Sequence, residues 1–262
     1  MLNQACTQLL CRACPHLELS ADQLSAFGAL HQRLWELNQV LNVTAVTEMP
    51  QVVLKHFADS LSLLSLPALA DPSRPLQVAD VGCGGGFPGV PLALLRPRWQ
   101  ITMIDSTEKK IRALQDTCSG LGLANVEPLA GRAEELCAPG GPLRQKKDLV
   151  VSRALARLDV LCELCLPMVK PGGLFVAMKG RDAAQELAQA RSAVETLGGR
   201  VVDLVDTTLN EAFFEGLELS DQELEAAREF AQSRRALVVI EKIAPTPKLY
   251  PRRYAQIKKS PL

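Results

Sequence analysis

One stretch of twelve residues limits what this 262-residue chain can fold into: Val78-Ala79-Asp80-Val81-Gly82-Cys83-Gly84-Gly85-Gly86-Phe87-Pro88-Gly89. A short apolar run ends beside an acid, a glycine-rich loop follows, and Val90-Pro91-Leu92-Ala93-Leu94-Leu95 reads as the start of a helix. Strand, glycine turn and helix in that order bring the backbone of an α/β sheet close to a nucleotide-like ligand. Glycine permits φ > 0 and lacks the Cβ that would hold a ligand off the main chain.

The segments around the loop extend the pattern. Strands are expected at 77–81, 100–105, 126–130, 148–152 and 173–179, with helices between them. Pro128, which has no N–H to give, places the third strand at an edge. A helix over 181–197 precedes two late strands, 200–205 and 236–243, joined by the excursion 210–234 with no helix between them. That terminal strand pair suits a methyltransferase sheet better than a plain dinucleotide fold.

Before the turn-rich Asp71-Pro72-Ser73-Arg74-Pro75 the chain reads as helical. Leu24, Phe27, Leu30, His31, Leu34 and Leu37 recur at three and four residues, and Ser20 stands as an N-cap. The expected organisation is a helical extension over 1–70, a sheet domain over 71–244, and a basic tail over 245–262 on or near the active site.

Composition narrows the class. With 47% hydrophobic residues, 22% charged residues and 29 charges of each sign, the chain is that of a soluble, core-forming protein. Zero net charge means that a polyanionic partner requires a local basic patch. No basic start with an apolar run opens the chain, and no window reaches the ~18 apolar residues of a membrane helix, so a cytoplasmic protein without membrane contact is expected. Eight cysteines would then stay reduced. Cys11-Arg12-Ala13-Cys14 and Cys162-Glu163-Leu164-Cys165 formally allow a four-cysteine zinc site. The second pair has the spacing of core helix packing, so buried thiols and no metal are the expectation.

Gly84-Gly85-Gly86-Phe87-Pro88-Gly89 satisfies G-x-G-x-x-G, a weak signal alone. Asp80, two residues before Gly82, tilts it toward S-adenosylmethionine. Its carboxylate can orient the loop and accept from a cationic amino-acid end, whereas a pyrophosphate would be repelled. Asp105 ends the second strand, where an acid accepts ribose hydroxyls, though nicotinamide enzymes place one similarly. Glu134, in Arg132-Ala133-Glu134-Glu135, is placed either to reach an adenine amino group or simply to open a solvated helix. Arg153 follows the fourth strand on the cleft side.

His56 and Ser60 would share a helix face, so His56 is either satisfied by that neighbour or part of a lid over the cofactor. Ser152-Arg153-Ala154-Leu155 lacks the Asp/Asn-Pro-Pro-aromatic turn of adenine amino methylation, and no cysteine nucleophile for pyrimidine C5 stands near it. An acceptor with a free lone pair, such as guanine N7, is left. The last eighteen residues carry five basic groups, no acid and two tyrosines, which is either a solvated tail or a surface for single-stranded nucleic acid.

In order, Asn42-Val43-Thr44-Ala45-Val46, Lys55-His56-Phe57-Ala58-Asp59-Ser60-Leu61, the glycine stretch, Ser152-Arg153-Ala154, Lys179-Gly180 and Tyr250-Pro251-Arg252-Arg253 resemble the bacterial 16S ribosomal RNA guanine-N7 methyltransferases, the glucose-inhibited division protein B family. The resemblance runs from about Leu37 to Leu262. It implies a class I, Rossmann-like α/β methyltransferase sheet with a helical extension, acting as a monomer. Its implied substrate is 16S ribosomal RNA, free, in the small subunit or in an assembly intermediate, at the guanine conventionally numbered 527.

The resemblance implies cofactor contacts at Gly82, Phe87, Asp105, Ser106, Thr107, Ala133, Glu134 and Arg153, to which the loop pattern itself adds Asp80 and Gly84. His56, Asp59, Lys179, Arg252 and Arg253 are candidates for positioning the guanine. The tail departs from the family pattern, with Tyr254-Ala255-Gln256-Ile257 where a Gly and a Pro are common. The competing readings are a nicotinamide-dependent oxidoreductase and a cofactor-free RNA-binding protein.

Overall fold

A computed structural model describes all 262 residues. Seven strands form one sheet: β1 (Gln77–Val81), β2 (Gln100–Asp105), β3 (Val126–Ala130), β4 (Lys147–Arg153), β5 (Val169–Lys179), β6 (Gly199–Asp206) and β7 (Ala236–Lys242). Their order is β3-β2-β1-β4-β5-β7-β6. The first five are parallel, and β7 lies antiparallel between β5 and β6. β3 takes the edge that Pro128 requires. β5 begins at Val169, earlier than expected, because Lys170-Pro171-Gly172 lies within the strand and the β4–β5 register shifts between Lys147 and Leu149.

The helices are α1 (Gln4–Ala13), α2 (Ala21–Leu41), α3 (Met49–Val52), α4 (Asp59–Leu61), α5 (Gly89–Leu95), α6 (Glu108–Gly120), α7 (Ala133–Leu136), α8 (Leu158–Cys165), α9 (Ala183–Thr196), α10 (Asp221–Gln232) and α11 (Tyr254–Lys259). None is long and apolar enough to cross a membrane. α10 corrects the expectation that no helix lies between the last two strands. Ser220 and Glu223 form a reciprocal capping box at its start, and Ala226, Ala227 and Phe230 bury its inner face.

Alternation along the strands divides the core in two. Val78, Met103, Val151 and Val176 face a cluster that includes the N-terminal helices and α10, while Ala79, Val81, Val150 and Ala177 face α8 and α9. Cys14 lies in the first cluster and Cys162 and Cys165 in the second, so the two C-x-x-C pairs sit on opposite faces of the sheet and cannot share a zinc ion.

Ser20 caps α2 in a capping box with Gln23, and the helix docks through Phe27, Leu30 and Leu34. Each such side chain contributes about 1.5–3 kcal/mol on burial. The Phe27 ring meets Phe57 at 5.2 Å between centroids, and Phe57 meets Phe87 of the glycine loop at 6.2 Å. This aromatic row joins the helical extension to the loop after β1.

Candidate functional site

The glycine loop is stitched to the neighbouring strand: the N–H groups of Gly82 and Cys83 donate to the Ile104 carbonyl at 2.8 and 3.0 Å. Gly82 has φ +76°, and a Cβ there would lie 2.8 Å from the Leu155 side chain. Cys83 is buried, and burial holds its thiol far above the ordinary range, which leaves it protonated and without nucleophilic character.

Asp80 is fully buried, and its Oδ2 accepts from the Gly89 N–H at 2.8 Å. Its Oδ1 has no partner. Burial pushes the carboxyl up to about 7, against the opposing pull of the Gly89 N–H and the Arg153 charge. An orphaned carboxylate oxygen at the end of a glycine loop fits a cationic ligand group and disfavours a pyrophosphate. Gly89 carries the same geometry from the other side, since a Cβ would lie 2.6 Å from the Met103 sulfur and 2.9 Å from Asp80 Oδ2. Gly89→Ala is therefore expected to destabilise the fold by about 1–3 kcal/mol, the cost of overpacking a core, in a denaturant melt. An unchanged midpoint would show that the loop can move aside.

Asp105 ends β2. Its Oδ1 accepts from the Thr107 N–H at 2.9 Å and its Oδ2 from the Gly84 N–H at 3.2 Å, which fixes the carboxylate while leaving lone pairs for ribose hydroxyls. A cleft of about 200 Å³ opens here, and Gly82, Asp105, Ser106, Ala133 and Glu134 all line it. Glu134 is held by Arg132, whose Nε donates at 2.6 Å. Asp80, Gly84, Phe87, Thr107 and Arg153 are not among the residues that line the cleft. The set Asp80, Asp105 and Glu134 follows β1, β2 and β3 across the sheet, and suits a ligand with an ammonium, a ribose and an adenine in that order. These are the parts of S-adenosylmethionine.

A second cluster forms beside the loop. Arg153 Nη1 donates to the Lys55 carbonyl at 3.0 Å and to Asp59 Oδ2 at 2.9 Å, and its Nη2 lies 3.3 Å from His56 Nδ1. Arginine can only donate, so Nδ1 accepts and the imidazole proton sits on Nε2, 2.8 Å from Thr44 Oγ1. Burial and then the Arg153 charge lower His56 to about 4, so it is neutral near pH 7. Its ring stacks on Phe87 at 4.6 Å and 18°, with the Arg153 guanidinium 5.4 Å from the same Phe87 ring.

The Ser60 hydroxyl does not satisfy this ring. It donates to the His56 main-chain carbonyl at 2.5 Å. His56 lies in a π-helical stretch, Val53–Ala58, between α3 and α4. Such widened turns are rare and concentrate at functional sites. Ala154, just after Arg153, has φ +55°, a strained conformation for a residue with a side chain.

Two candidate guanine contacts have partners within the protein. Lys179 Nζ donates to the Ala156 carbonyl at 2.7 Å and pairs with Glu186 at 2.6 Å, which holds the 154–158 loop. Arg252 makes a two-pronged pair with buried Glu163, at 2.6 to 3.1 Å, and its main-chain N–H donates to the same carboxylate at 2.7 Å. Arg253 is exposed. Tyr254, which sequence reasoning did not assign to the cofactor, lines the cleft with Leu155.

The sheet order, the glycine loop after β1 and the acids along its edge define a class I methyltransferase fold. Solved structures agree at the level of fold. A protein from Galdieria sulphuraria assigned as a sarcosine dimethylglycine methyltransferase matches with a TM-score of 0.50 and 14% identity over 75% of this chain and 88% of its own. The cyclase SpnF matches at 0.51 and 20% identity over 71% and 81%.

The chain belongs to the rRNA small subunit methyltransferase G family, whose GidB model matches residues 23–212. Ribosomal RNA small subunit methyltransferase G of Brevibacillus brevis is 42% identical over 247 residues, and that of Limosilactobacillus reuteri 40% over 249, each alignment covering 94% of both chains. The family match begins upstream of Leu37, so α2 belongs to the shared fold. Family membership sets aside the oxidoreductase and the cofactor-free readings.

Proposed function

We propose that the chain transfers a methyl group from S-adenosylmethionine to N7 of one guanine in 16S ribosomal RNA, the guanine conventionally numbered 527. The cofactor, when bound, supplies an electrophilic methyl group on a sulfonium. Asp80 holds its ammonium group, Asp105 its ribose, and Glu134 the adenine end.

The observation that carries the N7 assignment is the saturation of the cluster beside the loop. Both His56 nitrogens are engaged, Asp59 lies between Arg153 and Arg235 at 2.9 and 3.5 Å, and Cys83 is buried as a thiol. This arrangement suits an acceptor that loses no proton. The N7 lone pair forms the new N–C bond as the S–C bond breaks, so no general base is needed, and rate comes from alignment. The stacked Phe87 and His56 rings, fixed by Arg153, provide a rigid wall for that alignment.

Small subunits whose 16S RNA lacks this methyl group provide the test. After incubation with the protein and S-adenosylmethionine, borohydride and aniline treatment is expected to cleave the RNA at one new guanine. Incorporation of label with no new cleavage site would place the methyl group on another atom and sink the N7 assignment.

A further inference from the structure

We propose that Tyr254, carried by the C-terminal tail, is a cofactor-binding residue whose ring stacks on the adenine base. The inference rests on the cofactor reading above. It concerns a residue beyond the 23–212 stretch that the family model matches, and within the part of the tail that departs from the family pattern.

The tail is not a loose basic arm. Arg144 Nη1 donates to the Cys137 and Tyr250 carbonyls, each at 2.9 Å, and its Nη2 donates to the Thr246 and Pro247 carbonyls at 2.8 and 3.3 Å. The buried Lys242 ammonium group donates to the Leu197 carbonyl and to Thr246 Oγ1. Arg252 is clamped by Glu163 on α8. These three anchors immediately precede Tyr254 and set its position.

That position is in the wall of the cleft, which Ala133, Glu134 and Ser106 also line. The Arg132 guanidinium lies 5.0 Å from the Tyr254 ring centroid and donates to Glu134, so the ring and the acid expected at the adenine edge are tied through one side chain. The ring also packs on the core that contains α8 and α9. An aromatic ring held rigidly beside an adenine-edge acceptor supplies a stacking platform at little entropic cost. The basic residues Arg253, Lys258 and Lys259 on the same tail are exposed and play no part in this contact.

The chain has two tyrosines, Tyr250 and Tyr254, which makes the contact directly observable. The wild-type protein with 13C-labelled tyrosine rings is titrated with S-adenosylhomocysteine, and Tyr250→Phe assigns the signals. The Tyr254 ring resonances are expected to shift by adenine ring current well beyond those of Tyr250. Calorimetry should show Tyr254→Ala weakening S-adenosylhomocysteine binding about 10- to 100-fold, the range expected on removal of an aromatic platform under a base. Tyr254→Phe should stay within about threefold, since the platform survives.

Stationary Tyr254 resonances at saturation, or wild-type affinity in Tyr254→Ala, would overturn the proposal. So would a Phe variant as weak as the Ala variant. Failure of the wild-type protein to bind S-adenosylhomocysteine at all is a separate result, and overturns the cofactor reading beneath it.

Discussion

Replacing Asp80 with asparagine is expected to weaken S-adenosylmethionine binding by at least about a hundredfold at pH 8 and to raise thermal stability there, since it removes a buried charge. The asparagine oxygen can still accept from the Gly89 N–H, so the loop keeps its 2.8 Å brace. What is lost is the charge proposed to face the cofactor's ammonium group. Removing one partner of a buried, charged hydrogen bond costs about 2–5 kcal/mol, and about 2.7 kcal/mol already corresponds to a hundredfold.

The pH dependence distinguishes this role from a structural one. Burial raises the Asp80 carboxyl to about 7 in the free protein. A raised carboxyl contributes stability that is fully present below its ordinary value of about 3.9 and is lost as pH rises through about 7. Folding alone therefore favours the protonated form, whereas an ammonium ligand favours the ionised form. Binding should release a proton below pH 7, and wild-type affinity should fall as pH drops through that point. The asparagine variant should show no such slope. Calorimetry at several pH values, in buffers of different ionisation enthalpy, counts the proton. A flat wild-type profile would mean that Asp80 does not meet the cofactor's charge.

What could be read in advance follows the range of the forces involved. The strands were legible because apolar runs bounded by glycine and proline are local signals, and Pro128 marks an edge through a missing donor. The glycine loop was legible for the same reason, because its glycines and Asp80 stand together in the sequence, although Ile104 and Asp105 of the next strand brace it. α10 was missed although its signal is local: Ser220 and Glu223 spell a capping box. His56 shows the limit of a pair rule. Ser60 does lie one turn away, but its hydroxyl turns back to the main-chain carbonyl four residues earlier, as helical serines often do.

The fate of the charged side chains was not legible, because it depends on partners distant in sequence. Arg153 meets residues 94 and 97 positions earlier, at Asp59 and His56. Lys179 is met by Glu186 and the Ala156 carbonyl, partners that no local spacing announces. A sequence shows the sign of a charge, but the fold decides whether a counterion reaches it. Tyr254 is the same case for an aromatic ring, since its place depends on Arg144, Lys242 and Glu163 holding the tail.

Replacing Arg252 with alanine is expected to destabilise the protein by about 3 kcal/mol, because it leaves the Glu163 carboxylate without its guanidinium. Glu163 is fully buried, and every hydrogen bond it accepts comes from residue 252. Stripping the partner from a buried charge costs about 3–5 kcal/mol, and the main-chain donor that alanine retains places this case at the lower end. Replacing both residues with leucine should recover much of the loss, since a well-packed apolar pair is often as stable as a buried ion pair. Arg253→Ala makes the contrast. That side chain is exposed, so the melt should hardly move, while the slope of log affinity for RNA against log salt should flatten by about one. If Arg252→Ala instead leaves the melt unchanged and flattens that slope, Arg252 faces the RNA phosphates, and Arg144 with Lys242 must hold the tail alone.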